Sequence, residues 1–262
     1  MIRRLVLLFV LAPALAFAQT PASAAAKDVR FYSEGVQCYG KLFLPAGFSA
    51  TGKVAGIVLA PAPGETAASI EKYGAALAAS GFAALTIDYR GWGKSGGFLT
   101  LAEPVRWDDR LRFSQHTAKV RITRKRLVPE HQILDIRNAI SFLQGEPGVD
   151  RARIGVWGAG LAGGHALVVA ATDSRVKAVV AQAPVIPGKD VPRKAFAPNA
   201  EQQAAMVQQA RTGATDMEAK LAMAQYYPFH YVDAIPKTVA VLQVTSAQDI
   251  AAAADWFVKN LG

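Results

Sequence analysis

Arg153-Ile154-Gly155-Val156-Trp157-Gly158-Ala159-Gly160-Leu161-Ala162-Gly163-Gly164-His165 decides how the chain is read. It is a short apolar strand, a turn crowded with small residues, and the start of an apolar helix that continues through Ala166 to Ala171. In an alternating α/β chain such a turn lies at the carboxyl edge of the sheet, and the next helix aims its N–H groups there. Two motifs fit. A nucleophile elbow needs small residues two before and two after its tip, because strand and helix backbones nearly touch. Gly158 and Ala162 meet that need, and the tip, which should hold Ser, is Gly160. Read literally, Gly158 to Gly163 is G-x-G-x-x-G between strand and helix, the dinucleotide fingerprint.

The rest of the chain sets the context. At 262 residues and 52% hydrophobic it can bury one large core. Arg3 and Arg4, the apolar run Leu5 to Ala18 and the Ala16-Phe17-Ala18 site read as a secretory signal, with Ser23 to Ala26 as a second cleavage option. Residues 1–26 are therefore expected to be leader, and 27–262 a single domain in the periplasm or outside the cell. No transmembrane anchor is expected after cleavage. The lone Cys38 has no internal partner, so the fold must rest on its core rather than on bridges. The net charge of +9 falls to +7 once Arg3 and Arg4 leave. Lys119, Arg121, Arg124, Lys125 and Arg126 concentrate part of it, with no aromatic residue between Lys119 and Arg126. That argues against nucleic acid and for a solvated basic edge facing anionic lipid or an acidic ligand.

Val29 to Tyr32 and Gln37 to Leu44 read as a hairpin around Ser33-Glu34-Gly35. Val54 to Ala60, Ala83 to Ile87, the strand before Gly160, Val176 to Ala183 and Thr238 to Thr245 read as buried strands. Helices are expected over Ala67 to Ser80, Glu130 to Leu143, Ala166 to Ala171 and Ala251 to Leu261. Phe98 to Pro129 reads as polar, basic and irregular. Residues 186–235 read as a small helical cap over a cleft, or as a packing insertion. The order implies a doubly wound, mostly parallel sheet.

Asp88-Tyr89-Arg90-Gly91-Trp92-Gly93-Lys94-Ser95, Asp135-Ile136-Arg137-Asn138-Ala139-Ile140 and the Arg153 to Gly160 strand together resemble the α/β-hydrolase superfamily. The resemblance is to its branch near dienelactone hydrolases and Xaa-Pro dipeptidyl-peptidase-like esterases, from about Val29 to Gly262. It implies an α/β-hydrolase fold and a Ser–acid–His triad with an oxyanion site. Carried over, the nucleophile position is Gly160, which has no side chain to acylate. The acid position is Asp249, equally readable as a helix cap, with Asp190 a weaker match. The His position is unfilled, since no His follows residue 230. Oxyanion donors would be the N–H groups of Leu161 and of Ala62 or Gly64, because Pro61 and Pro63 have none.

The resemblance implies an impaired homologue of serine ester and peptide hydrolases, able to hold a small ester or acyl ligand, with no cofactor. Two alternatives stand beside it. One is a working ester or amide hydrolase using Ser95 in Gly93-Lys94-Ser95-Gly96-Gly97. The other is a dinucleotide binder at Gly158 to Gly163. That reading wants an acidic residue ending the next strand, which instead ends Gln182-Ala183-Pro184. His165 is expected to pack or cap its helix. Asp88 is expected to organise the Arg90 to Gly97 loop. His116, His131 and His230 show no metal-ligand spacing.

Overall fold

A computed structural model describes residues 25–103, 117–185, 201, 204, 222–223, 226–244 and 250–262. Nine strands are described: β1 (Ala25–Ser33), β2 (Val36–Leu44), β3 (Val54–Ala60), β4 (Ala83–Ile87), β5 (Phe98–Leu101), β6 (Val120–Thr123), β7 (Val149–Ala159), β8 (Val176–Gln182) and β9 (Ala240–Val244). Among the described residues they are accompanied by the α-helices α1 (Glu71–Ala79), α2 (Pro129–Gly145), α3 (Leu161–Thr172) and α4 (Ile250–Leu261). Short 3-10 turns cover Ala67–Ile70 and Pro228–Ala234.

Seven strands form one sheet in the order β1-β2-β4-β3-β7-β8-β9. β1 and β2 pair antiparallel, as do β2 and β4; every later pair is parallel. The reversal of strand order at β3 places the carboxyl ends of β3 and β7 side by side. Ligand crevices of open α/β sheets lie at such a point.

The central strands are apolar throughout because both of their faces are covered. Alternation sorts their side chains. Val58, Ala60 and Val156 join the core beneath α2 and α3. Ile57, Leu59 and Trp157 join the core beneath α1 and α4. Gly155 lies where any Cβ would sit 2.7 Å from the Phe257 ring, so its bareness lets α4 settle on the sheet.

The 98–129 region departs from the sequence expectation. It contains a two-stranded antiparallel hairpin, β5 with β6. The expected helix from Ala67 is a 3-10 turn followed by α1. β7 begins at Val149, four residues before Arg153. Most of the expected cap lies outside the described residues; Glu201 and Ala204 are helical there, as are Ala222 and Met223.

Candidate functional site: the strand-to-helix turn after β7

Gly160 sits between β7 and α3 with φ +58° and ψ −125°. A non-glycine residue held there carries about 1–3 kcal/mol of backbone strain. The turn is fixed from three sides. The Gly160 N–H donates to the Gln182 carbonyl at 3.0 Å, and the Gly160 carbonyl accepts from the N–H groups of Gly163 and Val185, each at 3.0 Å. At Gly158 a Cβ would lie 2.1 Å from the Ala162 carbonyl oxygen, so strand and helix backbones are in contact. At Gly163 it would lie 2.9 Å from Pro184 Cβ. These are the contacts that an elbow imposes two residues before its tip and just beyond it.

The tip differs. A Cβ on Gly160 would meet Ala62 Cβ at 3.6 Å and Pro63 Cδ at 3.8 Å, ordinary van der Waals distances. The turn thus has the backbone of an elbow and room for a side chain that is not there. Leu161 opens α3, so its N–H is one of the donors left without an intrahelical acceptor. Ala62, in the loop after β3, lies against the tip from the other side. The structure therefore brings Gly160, Leu161 and Ala62 together. Asp249 and Asp190 lie outside the described residues.

Close packing also accounts for the glycines of the literal G-x-G-x-x-G, and the tip N–H is already donated to Gln182. Nothing in this turn favours a dinucleotide over an elbow.

Ser95, the alternative nucleophile, lies in the loop after β4. It is buried, its O–H donates to the Asp88 carbonyl at 2.7 Å, and its Oγ accepts from the Tyr39 N–H at 2.8 Å. A hydroxyl engaged by two backbone groups knits β2 to the loop. Asp88 does organise that loop: its two carboxylate oxygens accept from the N–H groups of Ala67 at 2.6 Å and Lys94 at 2.7 Å. Gly93 permits this, since a Cβ there would lie 2.0 Å from Asp88 Oδ2.

His165, five residues past the tip, is fully buried. Its Nδ1 lies 2.6 Å from the Tyr226 hydroxyl and its Nε2 2.9 Å from Gln132 Oε1. With the Gln132 amide oxygen accepting, Nε2 carries the proton and Nδ1 accepts from Tyr226. Complete burial pushes the imidazole pKa down to about 3. With both nitrogens occupied, it is a packed neutral group and not a base for Gly160. Its partners lie 33 and 61 residues away in sequence, which is why periodicity did not find them.

A second buried cluster supports the loop after β4. Arg90 donates from its N–H and Nε to the two Asp135 carboxylate oxygens at 2.9 and 2.8 Å. It also donates to Ser33 Oγ at 2.6 Å and to Glu34 Oε2 at 2.8 Å. Burial raises the Asp135 pKa, and the Arg90 guanidinium opposes that rise.

A parallel sheet with an antiparallel start, an order reversal at β3 and an elbow after β7 define an α/β hydrolase fold. The chain belongs to the acetyl xylan esterase (AXE1) family, whose model matches residues 15–188. The hypothetical protein PA2218 from Pseudomonas aeruginosa has a similar structure, with TM-score 0.63 and 18% identity, over 92% of this chain and 95% of that one. The quorum-quenching protein AidA of Acinetobacter baumannii (strain MDR-ZJ06) is 30% identical over 162 residues, 62% of this chain and 44% of AidA. An uncharacterized 31.7 kDa protein in the traX-finO intergenic region of Escherichia coli is 37% identical over 103 residues, 39% of this chain and 27% of the other. The chain thus spans less than half the length of these curated relatives.

Proposed function

We propose that this protein is an exported member of the family that keeps the hydrolase scaffold and has lost acyl-transfer chemistry. The observation that carries the proposal is the tip itself: Gly160 holds the elbow conformation with no hydroxyl to form an acyl intermediate. Loss of a nucleophile alone removes orders of magnitude of rate. Glycine is also the residue that relieves the strain the tip imposes.

The carboxyl-terminal arrangement supports a second, independent loss. β9 is followed after five residues by α4, which shares its core with α1: Phe257 meets Phe82 edge-on at 6.2 Å. A right-handed crossover to a further parallel strand would run over the α2 and α3 face instead. So the helix after β9 does not lead toward a strand and imidazole loop beside β9.

What remains at the tip suits a small ester or acyl ligand held without turnover, with Ala62 and Leu161 around its carbonyl. Export rests on the leader, with its two arginines, apolar run and Ala16-Phe17-Ala18 site. Hydrolysis of p-nitrophenyl acetate by the purified protein tests the proposal. The expected rate is the buffer background; steady turnover well above it defeats the reading.

A further inference from the structure

β9 (Ala240–Val244) is the last strand of the described sheet, and among the described residues no strand pairs with its outer edge. Hydrogen bonds show which of its groups turn outward. The Ala183 N–H donates to the Val244 carbonyl at 2.6 Å, so Val244 faces β8. Alternation along the strand turns Leu242 and Ala240 toward β8 as well, and leaves the N–H and C=O groups of Val241 and Gln243 on the outer edge. Solvent reaches this strand. No residue of β9 is buried and Val241 is 37% exposed, whereas every residue of β8 except Lys177 is buried.

The two edges of the sheet differ in charge. β1, at the other edge, carries Lys27, Asp28 and Arg30. Charges of this kind keep an edge strand from pairing with another chain. β9 has no such guard: no charged residue occurs from Thr238 to Gln248. Its Ala240, Leu242 and Val244 pack on the core beneath α1 and α4, so the strand is held in place from one face. A fixed, uncharged strand with outward N–H and C=O groups is a template for a further strand.

We propose that β9 pairs antiparallel with β9 of a second copy of this chain, about a two-fold axis at Leu242, joining two sheets into one. That register sets Val241 opposite Gln243 of the second copy, and Gln243 opposite its Val241. Each outward N–H then donates to an outward carbonyl across the axis, so all the outward groups of Val241 and Gln243 are used. Leu242 meets its own copy at the non-hydrogen-bonded position between them. An interface of this kind is self-complementary. Charge and order select the occupant. An uncharged edge takes an uncharged strand, and a second β9 is one that β8 already holds extended. A free peptide would have to be ordered first. Antiparallel pairing also carries the two copies of Lys237, the cation next to this run, to opposite ends of the ribbon.

Cysteine cross-linking of the purified protein reads the register. Cys38 is buried and its thiol pKa is pushed up to about 12, chiefly by burial, so it stays inert under mild oxidation. Leu242→Cys should form a disulfide-linked dimer, since residues facing at a non-hydrogen-bonded pair have Cα atoms about 4.5 Å apart, within disulfide range. Val241→Cys should not, because its copy lies two positions along the strand, beyond the roughly 7 Å that a disulfide spans. Exposed Lys177→Cys should not either. Light scattering on a sizing column checks the same point without a covalent trap. The parent should elute at twice the chain mass, and Val241→Pro at the chain mass with an unchanged far-ultraviolet spectrum. Proline at 241 removes an outward N–H and leaves the bonds to β8 in place. A monomeric parent would leave this edge to a strand of another protein and overturns the proposal. So does a Leu242→Cys link that forms no faster than one at Lys177→Cys, or a folded Val241→Pro that stays dimeric. If Val241→Pro does not fold, the cross-linking comparison decides alone.

Discussion

Restoring a side chain at the tip is the sharpest perturbation the structure offers. Gly160→Ser adds a Cβ that meets only Ala62 and Pro63, at 3.6 and 3.8 Å, so no atom has to move. The cost comes from backbone conformation: φ +58° with ψ −125° strains a non-glycine residue by about 1–3 kcal/mol. Part of that is offset, since glycine's loss makes the unfolded chain less free by roughly 0.5–1 kcal/mol. The net expectation is about 1–2 kcal/mol, a fall in Tm of roughly 2–8 °C for a domain of this size. Circular dichroism melts give the number. Gly158→Ala is the internal contrast. It makes a smaller chemical change, yet its Cβ would fall 2.1 Å from the Ala162 carbonyl oxygen, so backbone must shift and the loss should exceed about 4 kcal/mol. Serine at 160 should also leave ester hydrolysis at background, because His165 is occupied and buried. If Gly160→Ser costs nothing, or as much as Gly158→Ala, the assignment of strain to one position and contact to the other is wrong. If it switches on hydrolysis, a base remains at the tip and the argument for a second loss fails.

Three further outcomes follow from the buried polar groups. Asp135→Ala leaves the buried Arg90 guanidinium with only the exposed Glu34 carboxylate, and should lower stability by about 3–5 kcal/mol in urea titrations. His165 has a folded pKa near 3 against about 6.5 unfolded, so the unfolded chain binds the extra proton between those values. Stability linked to it is complete above pH 6.5 and falls as pH drops, by about 2 kcal/mol at pH 5; His165→Leu should flatten that part of the pH profile. Ser95→Ala should cost stability through the lost bonds to Tyr39 and Asp88, with no change in p-nitrophenyl acetate hydrolysis.

The fold was legible where apolar runs are bounded by turn residues. Val54 to Ala60 and Ala83 to Ile87 are strands with those bounds, because Pro61 ends one and Gly81 precedes the other. Asp88 could be placed in advance because a carboxylate ending a buried strand must find donors, and the next loop supplies them. The β5–β6 hairpin was not legible. Phe98-Leu99-Thr100-Leu101 and Val120-Arg121-Ile122-Thr123 are four residues each, and what pairs them is eighteen residues of separation that no local pattern encodes. At the site, small residues at 158 and 162 announced the contact between strand and helix. Gly160 announced only an absence; its φ and ψ show that the absence sits in an intact turn. The Tyr226–His165–Gln132 bonds join three separate elements, so one histidine in an apolar helix gave no sign of its partners.

The central claim is that the elbow carries no nucleophile, and one measurement meets it directly. The purified protein is treated with a fluorophosphonate probe and mapped by peptide mass spectrometry. The account predicts no adduct on any residue, with Gly160→Ser equally silent. A stoichiometric adduct on a serine of the untreated sequence, removed by prior heat denaturation, would contradict it.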